Sequence, residues 1–153
     1  MQRSKRMQPV LDQTQREEAA AREALAQAQQ ALTEAIQQVN DLEAYEQDYM
    51  SQMRNHSQSI RTASTYHSYH TFLTKLALAI RQQVGLVELR EKQQAKCLLD
   101  WQASKSRLSN MESFIQRIRA EEDAAADKKL QQQLDEMSLQ RFIARQRKPG
   151  RSS

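Results

Sequence analysis

From residue 25 the apolar positions step by three and four: Leu25, Ala28, Leu32, Ala35, Val39 and Leu42, with Ile36 thickening the stripe. The count runs on to Tyr49 and Met53 across Glu46, and backward through Ala21, Glu18, Thr14 and Leu11, where the stripe weakens. A second run keeps the same spacing: Tyr69, Leu73, Leu76, Ile80, Gln83, Val87, Arg90, Gln94, Cys97 and Trp101, then Leu108, Met111, Ile115 and Ile118. Alternating threes and fours are the repeat of helices that pack lengthwise. Between the runs lies RNHSQSIRTAS, residues 54 to 64, nearly free of apolar side chains. Its Ser, Asn and Thr side chains bond nearby backbone and favour turns, and Ser64 or Thr65 would cap the second helix. The pattern predicts an all-α fold: a long antiparallel two-helix coiled-coil hairpin with an extended C-terminal helix. Helix one is expected over about 10–54, the turn over 55–64 and helix two over about 65–146. Residues 1–9 and 147–153 read as disordered basic ends.

With the turn centred near 60, residue i should face a residue numbered about 121 − i. Leu11 would then face about Asn110, leaving everything from Met111 onward without a partner in the chain. That overhang still carries Ile115, Ile118, Leu130, Leu134, Met137 and Ile143. An amphipathic helix needs a partner for its apolar face, so the overhang should fray or be covered by something else. The free chain is expected to be a rod-like monomer or weak dimer.

Composition sharpens the picture in two places. The span from Val10 to Lys148 holds no proline and only Gly85 among glycines, which argues against sheet, since hairpin turns depend on such residues. The net charge of +4 sounds suited to nucleic acid, yet its concentrated parts are the ends, with Arg3, Lys5 and Arg6 at one and Arg141 to Arg151 at the other. These read as solvated tails, so no nucleic-acid partner is expected. Lone Cys97 excludes an internal disulfide and fits a reducing compartment. The opening MQRSKRMQPV lacks a signal-peptide core, and no span is apolar enough for membrane insertion, so a cytoplasmic protein is expected. His67 and His70 share a helical face, but further ligands at suitable spacing are missing. A two-helix hairpin has no interior in which polar groups converge, so no catalysis, cofactor or metal is expected.

Five of the eight aromatic residues fall between positions 45 and 72. Gln38, Leu42, Tyr45 and Tyr49 step by four, three and four, and so do Phe72, Leu76, Ala79 and Gln83. Paired antiparallel, 38 with 83, 42 with 79, 45 with 76 and 49 with 72, they match the register set by the turn. The eight form one strip on one side of the hairpin. The inward seam already holds Leu73, Ile80 and Val39, so Tyr45, Tyr49 and Phe72 look surplus to it. Either they cap the hairpin end, or they make an exposed patch of the kind that marks binding sites.

The chain resembles the FliJ family, the small coiled-coil component of the bacterial flagellar type III export apparatus. The matching features are LxxYxxxY at Leu42, Tyr45 and Tyr49, the polar turn after Met53, and YxxFLxxLxxAI from Tyr69 to Ile80. Trp101 followed by Arg107 and Leu108, DExxxQR from Asp135 to Arg141, and RKP at 147 to 149 also match. The resemblance spans roughly 10 to 149 and is firmest between 38 and 108. It implies an antiparallel coiled coil similar to the rotary ATPase gamma subunit. The end built from both termini would enter the hexameric export ATPase FliI, with Leu11, Arg16, Arg117, Arg119, Leu130 and Leu134 at that end. The strip of Gln38, Leu42, Tyr45, Tyr49, Phe72, Leu76, Ala79 and Gln83 would engage the export gate protein FlhA. At Gln83 the chain departs from the family pattern, where histidine is common. The resemblance further implies contact with export chaperones, and a location at the cytoplasmic face of the inner membrane. The rivals are the equivalent stalk of a virulence secretion system and a generic structural coiled coil.

Overall fold

The computed structural model describes residues 2–55 and 63–147, and nearly all of them are helical. Helix α1 spans Arg3–Asn55 and helix α2 spans Ala63–Arg147, with no strand among the described residues. The chain is an antiparallel helical hairpin. Its two helices form two compact units: Arg16–Lys105 is one, and Met1–Gln15 with Ser106–Ser153 is the other. The boundaries shift from those the repeat suggests. α1 starts at Arg3, so Arg3, Lys5 and Arg6 lie on helix rather than before it, and the helix carries Pro9 inside it. Ser64 and Thr65 sit within the first turn of α2 rather than ahead of it. Residues 56–62, including His56, and the tail from 148 lie outside the described residues.

In the unit 16–105 the expected seam packs inward. Leu25, Ala35 and Leu76 are buried, and Val39, Leu42, Ile80, Val87 and Cys97 are half-buried. Ile36 is exposed and belongs outside the stripe. Two polar residues on the seam, Gln83 and Glu18, are paired across it. Gln83 Nε2 donates to Gln38 Oε1 at 2.7 Å and to the Ala35 carbonyl at 3.5 Å. The Trp101 indole N–H donates to Glu18 Oε1 at 3.1 Å, while Arg22 holds the other oxygen at 2.7 Å. Lys105 lies over the indole ring at 5.0 Å. A buried polar group is costly unless it finds a partner, and these two breaks in the stripe each have one. The arginine, first, and then the indole hold the Glu18 carboxyl below the usual carboxylate range.

In the other unit the pairing runs further than expected. Ile115 and Ile118 are the best-buried apolar residues here, at 2% and 4% exposure, where the sequence places them on an unpaired overhang. Ser4 is buried too, and both its backbone N–H and its hydroxyl donate to Glu122, at 2.9 and 2.7 Å. The earlier start of α1 explains this, because it adds about two turns of seam. The first turn of α1 has no acidic residue, and a helix start presents unpaired N–H groups and partial positive charge. Glu122 supplies the missing acceptor from α2, and the serine bonds hold its carboxyl low. Ser4 thus meets Glu122 where the expected register gives about residue 117. The long glutamate leans toward the N-terminal end of its own helix, which accounts for part of that offset. The unpaired stretch begins at Asp123, and every residue from Ala125 to Arg147 is exposed.

Candidate functional site

The strip beside the turn forms in part. Gln38 meets Gln83, as paired from the sequence. Tyr49 meets Phe72 with ring centroids 4.4 Å apart, and Tyr69 at 5.1 Å. Tyr45 packs edge-on against Phe72 with ring centroids 6.0 Å apart. The rings form a connected cluster, Tyr45 to Phe72 to Tyr49 to Tyr69. Edge-to-face and offset contacts of this kind add to the burial of the rings.

The cluster is graded from inside to outside. Leu76 is buried, whereas Leu42, Tyr49, Phe72, Ala79 and Gln83 are at most half-buried. Gln38 and Tyr45 are exposed, Tyr45 at 52%. Tyr49 and Phe72 are therefore not surplus to the packing: they close the seam, and Tyr45 is the ring left facing out. Burial among the other tyrosines pushes the Tyr49 phenol up, so it stays neutral.

Of the residues assigned to the terminal end, Leu11 is half-buried, while Arg117, Arg119, Leu130 and Leu134 are exposed. Arg119 reaches Gln8 Oε1 at 3.4 Å, and Arg117 lies 5.8 Å over the Phe114 ring, which Arg3 also covers at 5.5 Å. Arg16 is exposed and belongs to the 16–105 unit.

Sequence reasoning missed three features. One is Ser4 with Glu122, whose only local sign is the absence of an acid in the first turn of α1. Another is Tyr66, which is exposed and stacks on His70 with centroids 6.5 Å apart. The third is a shallow groove of about 400 Å³ near the turn, lined by Glu46, Met50, His70, Leu73 and Leu78 among others. Among the described residues no group of three or more His, Cys, Asp or Glu converges as a metal site. No helix among them is long and apolar enough to cross a membrane.

Residues 3–147 match the family described as Flagellar FliJ protein. The chain belongs to the FliJ family. The match covers both described helices from their first to their last residue. No curated protein and no solved structure gives a significant match. FliJ membership makes this a flagellar, export-related protein. The hairpin leaves uncovered the Tyr45 edge of the aromatic cluster and the stretch after Glu122.

Proposed function

We propose that this FliJ protein is a coupling shaft of flagellar export, linking nucleotide turnover in the ATPase FliI to opening of the gate FlhA. It carries no chemistry of its own. The observation that carries the reading is the long exposed stretch leading to Arg147, with Leu130, Leu134, Met137 and Phe142 uncovered. A helix face of that kind needs a partner surface, and a ring lumen offers one. The Tyr45 edge, an aromatic standing beside half-buried rings, has the makeup of a binding hot spot and is the surface assigned to the gate. Escort of empty export chaperones belongs to the same reading, without residues assigned to it.

The test is co-purification with the ATPase and with the gate's soluble portion, using two variants. Leu130→Ala with Leu134→Ala should cut ATPase stimulation at least tenfold and leave gate binding intact. Tyr45→Ala should do the reverse. If both variants stimulate the ATPase and bind the gate like the parent chain, the shaft reading fails.

A further inference from the structure

One face of the exposed stretch has an order of its own. At about 100° of rotation per residue, Asp123 and Asp127 lead into Leu130, Leu134 and Met137, and these lead into Arg141 and Arg145. All of them fall within an arc of roughly 80°. The face therefore reads acidic, apolar, basic. Each charged block sets two like charges four residues apart, which weakens an isolated helix. None of these four charges is in an ion pair among the described residues. The remaining acids of the stretch, Asp135 and Glu136, lie off this face by the same count, and Asp135 accepts from Gln131 at 3.0 Å. Leu130, Leu134 and Met137 keep 55, 48 and 51% of their surface exposed.

We propose that this face pairs with the same face of a second copy of the chain, antiparallel, about a two-fold axis through Leu134. Leu134 then meets Leu134 of the partner subunit, and Leu130 lies level with Met137 of the partner subunit. Outside them Asp127 faces Arg141 of the partner subunit, and Asp123 faces Arg145 of the partner subunit. The axis repeats each of these contacts, so the dimer gains four charge pairs around a small apolar centre. A parallel pairing would instead set acid on acid and base on base, so the charge order selects the antiparallel one. α1 borders the strip at its acidic end, where Asp123 shares a shallow groove with Gln2, Ser4 and Lys5. The side of α2 that it covers, Ile115, Ile118 and Glu122, lies roughly a third of a turn around from the strip. Two-fold self-pairing of one patch is the commonest way soluble chains associate. With three apolar residues from each copy the dimer is weak, and its exposed charge pairs make it sensitive to salt. The inference does not rest on the ring reading, although both would use Leu130 and Leu134, so a dimer would keep this face from the ring.

Sedimentation of the full chain at low salt, over a range of concentrations up to several hundred micromolar, tests the idea together with two charge-reversed variants. Asp123→Arg with Asp127→Arg makes the face uniformly basic at its charged positions. Arg141→Glu with Arg145→Glu makes it uniformly acidic. Each variant alone should dimerise at least tenfold more weakly than the parent, with helicity by circular dichroism unchanged. An equimolar mixture of the two should form a one-to-one complex about as tight as the parent dimer, because all four facing pairs again have opposite sign. A parent chain that stays monomeric throughout overturns the proposal. So do variants that dimerise as the parent does, and so does a mixture that forms no complex.

Discussion

At the residue scale, the aromatic cluster predicts unequal costs. Tyr45 is half exposed and among the described rings touches only Phe72, so Tyr45→Ala should lower stability by about 0.5–1 kcal/mol, near the value for surface sites. Tyr49 and Phe72 are half-buried against one another and other rings. Each alanine there should cost about 2–3 kcal/mol, somewhat below a full core truncation. Urea melts of the three variants check this, and equal costs would mean that the cluster is not graded. Glu18 and Glu122 give a second prediction. Both have folded pKa values depressed by their hydrogen-bond donors. Their contribution is therefore complete above the unfolded glutamate value of about 4.3 and is lost as pH falls through the lower folded value. The melting midpoint should change little from pH 7 to about 5 and fall below about 4. A Glu18→Gln, Glu122→Gln chain should start lower and fall less, and an unchanged slope would show these two carboxylates to be idle.

At the scale of the helices, much was legible because the seam repeats. Thr14, Glu18, Ala21 and Leu25 recur at the same spacing as the apolar run, and each is buried or half-buried. A repeat read over many turns averages out single exceptions such as Glu46. What could not be read was set by single contacts between distant residues. Ser4 and Glu122 are 118 positions apart, and neither carries a local mark of the other. Missing that contact moved the start of α1 by two turns, and with it the whole estimate of where pairing ends. The aromatic strip was legible as a cluster, but not which ring faces out, since half-burial depends on how each ring tilts. Gly85 offers a test at this scale. It lies inside α2, and a methyl group added there would meet nothing within 4 Å. Gly85→Ala should raise stability by about 0.5–1 kcal/mol, read as a melting midpoint higher by about 1–4 °C. A lower midpoint would mean that the glycine permits an approach of the neighbouring helix.

For the whole molecule, the end of pairing at Glu122 decides where the chain can be cut. A chain ending at residue 123 should keep the parent's melting midpoint and lose only helical signal in proportion to its length. One ending at residue 110 removes Ile115 and Ile118 from the core and Glu122 from Ser4. It should melt at least ~4 kcal/mol less stably, as expected for losing two buried isoleucines. Equal midpoints for the two would place the end of pairing near residue 110 instead. The polar pairs on the seam carry a different consequence. A coiled coil of plain leucines can slip by a heptad, about 10 Å along the axis, at little cost. Here such a slip would strand the Trp101 indole and Glu18 at one level, and Gln38 and Gln83 at another. Both levels act as keys that fit only one position, as a polar seam residue does in fixing register. One helix therefore cannot creep along the other to carry a signal, and any motion passed through the 16–105 unit must be one that both helices make together.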